Sequence, residues 1–156
     1  MKIPLAVSRG SKVQSAWAND VVSMFGKRGV ICSGAAQSTT SGAALAFVFN
    51  AEQFDPDGWI TVPSSLLTVP SGQDGRYLVS ATARWATTAL GTQPMCDIVW
   101  NGSSWLSGSG LTVVGIHTVT GILNLVAGQT LQVRGYQNSG GAINCTPYLE
   151  IAPLSP

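Results

Sequence analysis

A chain of 156 residues can bury one core without disulfide staples. Only 10% of its residues are charged, against about 25% in an average soluble domain, and the formal net charge is +1. That balance gives no electrostatic footprint for nucleic acid or an anionic membrane, and the longest apolar run, Ala43 to Phe49, falls far below the roughly 18 residues of a membrane span.

So few charges fit a surface largely covered by neighbouring subunits; an uncharged Ser/Thr surface would give the same count. The cysteines, Cys32, Cys96 and Cys145, are widely spaced and odd in number, which fits neither a disulfide framework nor a metal knuckle, so they read as reduced and buried. Between Lys2 and Arg9 only Ile3 to Val7 is apolar, and Pro4 breaks it, too short for a signal-peptide core. The expectation is synthesis in a cytoplasm.

In chain order, residues 1–10 are irregular. From Ser11 the apolar side chains Val13, Trp17, Val21, Met24 and Phe25 make one helical stripe that stops at Gly26. Such a stripe packs on its own domain or docks on another body. Lys27 to Gly42 is small and polar and reads as a linker with at most a short strand at Val30-Ile31-Cys32. The chain thus divides into an anchoring helix and linker over 1–42 and a β domain over 43–156.

Strand-like segments follow at Ala43–Asn50, Trp59–Val62, Leu66–Val69, Arg76–Ala86, Met95–Asn101, Leu111–Thr118, Val119–Val126, Leu131–Gln137 and Tyr148–Ala152. The clearest alternation is at Arg76–Trp85, with Tyr77, Val79, Ala81, Ala83 and Trp85 on one face and Leu78, Ser80, Thr82 and Arg84 on the other. Asn101-Gly102 is a hairpin signal, and Ala127-Gly128-Gln129 and Asn138 to Gly141 mark further connections. No second helix interrupts them, so the fold class is an all-β antiparallel sandwich.

Phe54-Asp55, Gly58 and Pro63, then Pro70, Gly75 and Tyr77, resemble landmarks of the globular head of complement component one-q and its tumour-necrosis-factor-like relatives. Asn101-Gly102, Leu125 with Gly128-Gln129, and the closing Tyr148-Leu149-Glu150-Ile151 agree in order, over about Phe47 to the C-terminus. The departure is Gln129, where that family commonly has Asp. The text GRYLVSA, behind a short helical segment, is closer still to the form found in structural proteins of tailed bacteriophages. The resemblance implies a ten-stranded jelly roll that trimerises with apolar side chains along a threefold axis.

Little in the chain points to catalysis. His117 lies in a strand-like segment with no nucleophile motif around it and is assigned no role. The carboxylates number seven, and nothing singles out a pair for hydrolysis. Asp55-Pro56-Asp57-Gly58 has a faint look of a calcium loop but lacks its third ligand and distal Glu; a type I turn explains it better. No metal and no cofactor is expected. Trp85 and Trp100 read as core or axis residues, whereas Trp105, in the apparent loop NGSSWLSGSG beside Asn101 and Ser104, has the composition of a recognition surface or plugs one end of the sandwich.

Two functions fit. One is a non-enzymatic virion protein, a trimeric knob of a tail tip, fibre or capsid, anchored through Val13, Trp17, Val21, Met24 and Phe25. Its partners would be its own copies, other virion proteins and a host surface glycan or protein. The other is a free cellular module of the same fold that binds a glycan or protein.

Overall fold

In the computed structural model of the chain, residues 29–87, 94–109 and 115–154 are described, with the side chains of Ser104, Trp105 and Ser109 outside that description. The helical stripe Val13, Trp17, Val21, Met24 and Phe25 also lies outside the described residues. The described strands are β1 (Val30–Ser33), β2 (Gln37–Thr39), β3 (Leu45–Ala46), β4 (Ala51–Phe54), β5 (Leu67–Thr68), β6 (Gly75–Trp85), β7 (Met95–Trp100), β8 (Ser103–Ser109), β9 (Ile116–Leu125), β10 (Thr130–Tyr136) and β11 (Ile143–Pro153).

The alternation over Gly75–Trp85 sets the architecture, because a strand with one apolar face must lay that face on a second layer. Tyr77, Val79, Ala81, Ala83 and Trp85 are all buried, while Leu78 and Arg84 are exposed. β6 pairs antiparallel with β11 on one side and β9 on the other. They belong to a six-stranded sheet of order β4-β1-β11-β6-β9, with β2 also on β11. The second sheet runs β3-β10-β7-β8, with β5 on β10. Two antiparallel sheets joined by long-range pairings make the expected jelly-roll sandwich.

Between the sheets, Val79, Ala81, Leu149 and Ile151 from one layer join Ile98, Leu131 and Val133 from the other. Trp59, 1% exposed, meets Tyr77 edge to face with ring centroids 5.2 Å apart. The Tyr77 hydroxyl donates to the Gln73 carbonyl at 2.8 Å, so its polar end is satisfied without reaching water. The tip of the Phe47 ring abuts Gly135, where an added Cβ would stand 2.2 Å from Cζ, so only glycine admits that packing.

Several boundaries differ from the sequence expectation for identifiable reasons. Residues 27–42, read as linker, contain β1 and β2, and β1 is an internal strand with Val30 and Cys32 fully buried. The sandwich therefore starts by Val30 and not at Ala43; the alternation is too short to register among small residues. Trp59–Val62 is not a strand, because the Trp59 and Ile60 amides donate to the Asp55 carboxylate at 2.8 and 3.0 Å and not to a ladder. The segments Leu111–Thr118 and Val119–Val126 divide one strand, β9, which runs unbroken through Thr118 and Val119; residues 111–114 lie outside the described ones.

The stretch Ser103–Ser109, read as loop, is β8, bulged opposite Ile98 and Val99. β11 extends past its expected start through Pro147. The missing N–H does not interrupt a ladder there, because β2 pairs with 143–145 and β1 with 148–151, leaving Pro147 between them on that side.

Tyr77→Ala should cost about 3–5 kcal/mol and Arg84→Ala far less, measured as denaturant midpoints; equal shifts would put the facing of β6 off by one residue. A chain beginning at Ala43 should be unfolded by circular dichroism, because it lacks an internal strand, whereas one beginning near Lys27 should keep the sheet signal.

Candidate functional site

The side chains that β6 turns away from the core define the most distinctive surface. Cross-strand register aligns Ala152, Leu78 and Ile122 in one row and Glu150, Ser80 and Thr120 in the next. Tyr148, Thr82 and Thr118, then Thr146, Arg84 and Ile116, complete the face towards Trp85. Of nine exposed large hydrophobic residues among those described, six lie on this sheet: Ile31, Phe54, Leu78, Ile116, Ile122 and Tyr148. Single exposed apolar groups are ordinary, but this concentration on one sheet is what a contact surface shows.

The hydroxyls of the middle rows satisfy one another. Ser80 and Thr120 share a hydrogen bond of 2.9 Å, as do Thr82 and Thr118, so this part of the face asks little of solvent. Beyond them the face becomes concave: Ala36, Arg84, Asn144, Thr146 and Tyr148 line a depression of about 260 Å³ with Trp85 and Ala86. The Arg84 guanidinium sits over the Tyr148 ring, 5.6 Å from its centroid.

The sequence-derived binding residues fall elsewhere, on the β7–β8 hairpin. Asn101 and Gly102 have φ of 48° and 79°, the turn that their pairing signals. The Asn101 side chain accepts from the Thr130 amide at 2.9 Å, tying the hairpin to β10. Ser104 stands opposite Val99 in β8, and Trp105 is the extra residue of the bulge, so the loop assignment is corrected to strand. Their side chains lie outside the described residues.

Gln129, at the departure from the family pattern, is committed too. Its Oε1 accepts from the Val126 amide at 2.9 Å and the Trp100 indole at 3.2 Å, the second contact needing the longer side chain.

Several of the groups with chemical potential are held within the fold. Both oxygens of Asp55 accept backbone amides, so the carboxylate closes its turn and is not aimed at a cation. Asp74 accepts from the Ala127 amide at 2.6 Å. His117 is buried on the inward face of β9 opposite Ala83, and desolvation pushes its pKa down. Burial, with the negative charges of Asp55 and Glu52, raises the Cys32 thiol to about 12; burial, then Asp97, raises Cys96 to about 12. Cys145 is also shifted up, by burial and then by nearby Cys96. Sequence reasoning missed the depression itself, because Arg84, Asn144 and Tyr148 come from two strands some sixty positions apart, and only their register brings them together.

Two measurements check this electrostatic picture. Native protein at pH 8 should resist iodoacetamide at all three cysteines, since a rise from 9.0 to about 12 cuts thiolate about a thousandfold, and denaturant should expose them. Because the fold disfavours charged His117, the unfolded chain binds the extra proton. Its contribution is thus complete above its ordinary 6.5 and declines as pH falls from there to the lower folded value. His117→Gln should flatten stability across that window; an unchanged slope would contradict the assignment.

Neither a protein-family model nor a curated protein sequence matches the chain. Solved structures do. The globular domain of zebrafish complement 1qA aligns with a TM-score of 0.61 at 11% identity, over 82% of this chain and 97% of that one. Murine APRIL aligns with a TM-score of 0.50 at 8% identity, over 78% of this chain and 98% of that one. At such identities the likeness concerns the backbone alone, and it agrees with the strand order described above: the chain has the jelly-roll sandwich of the complement-one-q and tumour-necrosis-factor-like folds.

Proposed function

We propose that the chain is a non-enzymatic structural module that assembles into a homotrimer through the Leu78 and Ile122 end of the outer face of its six-stranded sheet and is carried on a bacteriophage particle by its N-terminal segment. The observation that carries the self-association is the concentration of exposed apolar side chains on that sheet, with Leu78 and Ile122 on neighbouring strands of one row. A contact between copies removes that surface from water, at about 25 cal/mol for each Å² of apolar area buried. The self-paired hydroxyls of Ser80, Thr82, Thr118 and Thr120 enter such a contact without leaving an unmet donor. A charge content of 10% agrees with a module whose surface is partly covered.

The particle context is supported by sequence: the strand GRYLVSA behind a short helical stripe is what resembles the phage proteins. The non-enzymatic reading is supported by the engagement of Asp55, Asp74 and His117 within the fold. Host contact, if the module makes it, would use surfaces left outside the trimer.

Light scattering on the purified chain should give a trimer, and Leu78→Glu with Ile122→Glu should give a folded monomer of unchanged circular dichroism. A wild-type monomer at micromolar concentration overturns the proposal. Removing residues 1–28 should keep the trimer and abolish incorporation into particles; a trimer that never associates with particles fits the free binding module instead.

A further inference from the structure

The outer face of the six-stranded sheet changes character along its length. Around Leu78 and Ile122 it is apolar, in the middle its hydroxyls pair with each other, and near Trp85 it holds the depression lined by Arg84, Asn144, Thr146 and Tyr148. We propose that this depression is a binding site for the carboxylate of an acidic sugar, held on Arg84.

The charge distribution comes first. Among the described residues Arg84 is the one ionised side chain of the lining, and no carboxylate lines it. The nearest acidic residue on the same face, Glu150, stands opposite Ser80, four positions along β6, about 13 Å away at roughly 3.3 Å per residue. Among the described residues the guanidinium meets no carboxylate; its partner is the Tyr148 ring. A guanidinium without a carboxylate partner is the group that receives a ligand carboxylate through two parallel hydrogen bonds.

The neutral groups point the same way. Elsewhere on the face, hydroxyls are consumed in pairs, whereas the side-chain polar groups of Asn144, Thr146 and Tyr148 make no hydrogen bond among the described residues. Donors and acceptors that are unspent and line one depression with a cation suit a ligand bearing hydroxyls next to an acid group. Size limits the choice. At about 260 Å³ the depression lies below the roughly 300–1,000 Å³ of sites for drug-sized ligands and has room for one monosaccharide unit. The site stands apart from the Leu78 and Ile122 row and does not depend on the number of copies in the assembly.

The test is an amide-shift titration of the isotope-labelled full chain with sodium glucuronate, glucose and inorganic phosphate. Glucuronate should shift Ala36, Asn144 and Thr146, and glucose and phosphate should not. Arg84→Gln should weaken glucuronate at least about tenfold, and Arg84→Lys, which keeps the charge and loses the fork, should fall between. Asn144→Ala supplies a second, neutral variant and should weaken binding at unchanged charge. Light scattering on each variant should return the wild-type mass. Equal binding of glucose, equal binding of phosphate, no shift at these residues, or wild-type affinity in Arg84→Gln would each overturn the site. Dissociation of the assembly by Arg84→Gln would also overturn it, by assigning the guanidinium to the contact between copies; a wild-type monomer that still bound glucuronate would overturn only the trimer.

Discussion

The two-sided pairing of β6 is the constraint from which the rest follows. Because it hydrogen-bonds to β11 and β9 at once, its register fixes three strands, and a slip by one residue would turn Tyr77, Val79 and Ala81 to solvent. The same register fixes what the sheet shows outside. Leu78 aligns with Ile122, Ser80 with Thr120 and Thr82 with Thr118, so the core and the outer face are two readings of one alternation.

The ends of the sandwich are closed by side chains that replace missing ladder bonds. Asp55 caps two amides of its turn, Asn101 and Gln129 bridge from hairpins to neighbouring segments, and Gln137 donates to the Thr39 and Gly141 carbonyls at 2.8 Å each. Each neutral bond is worth only about 1 kcal/mol net, but an unmet buried amide costs more, so these side chains hold loops that a core alone would leave loose. This also explains how a domain with few charges keeps its connections defined: amide side chains do what ion pairs do elsewhere.

For function, the two ends of the outer face ask for different partners. The apolar row suits burial by another protein surface, whereas the concave end offers a guanidinium and polar groups that make no hydrogen bond among the described residues. A module assembled through the first and binding through the second would present its ligand site once per copy, and weak individual sites would then act together on a surface carrying many acidic sugars.

The all-β class, the facing of β6 and the Asn101-Gly102 hairpin are legible in the chain alone, because each is encoded locally in alternation or in turn chemistry. It also carried landmarks of the jelly roll. Short or interrupted elements were not legible. β1 spans four residues among small side chains and is held by β11, more than a hundred positions later; β8 hides in Ser and Gly text; and Pro147 masks a strand that continues through it. Trp59, which follows a turn in the sequence, became a core residue only when Asp55 folded its amide back and Tyr77 supplied a ring to meet it. Tertiary structure alone decided the site for the same reason. Arg84, Asn144, Thr146 and Tyr148 belong to different strands with no shared motif, and the antiparallel register of β6 with β11 is the physical link that places them around one depression.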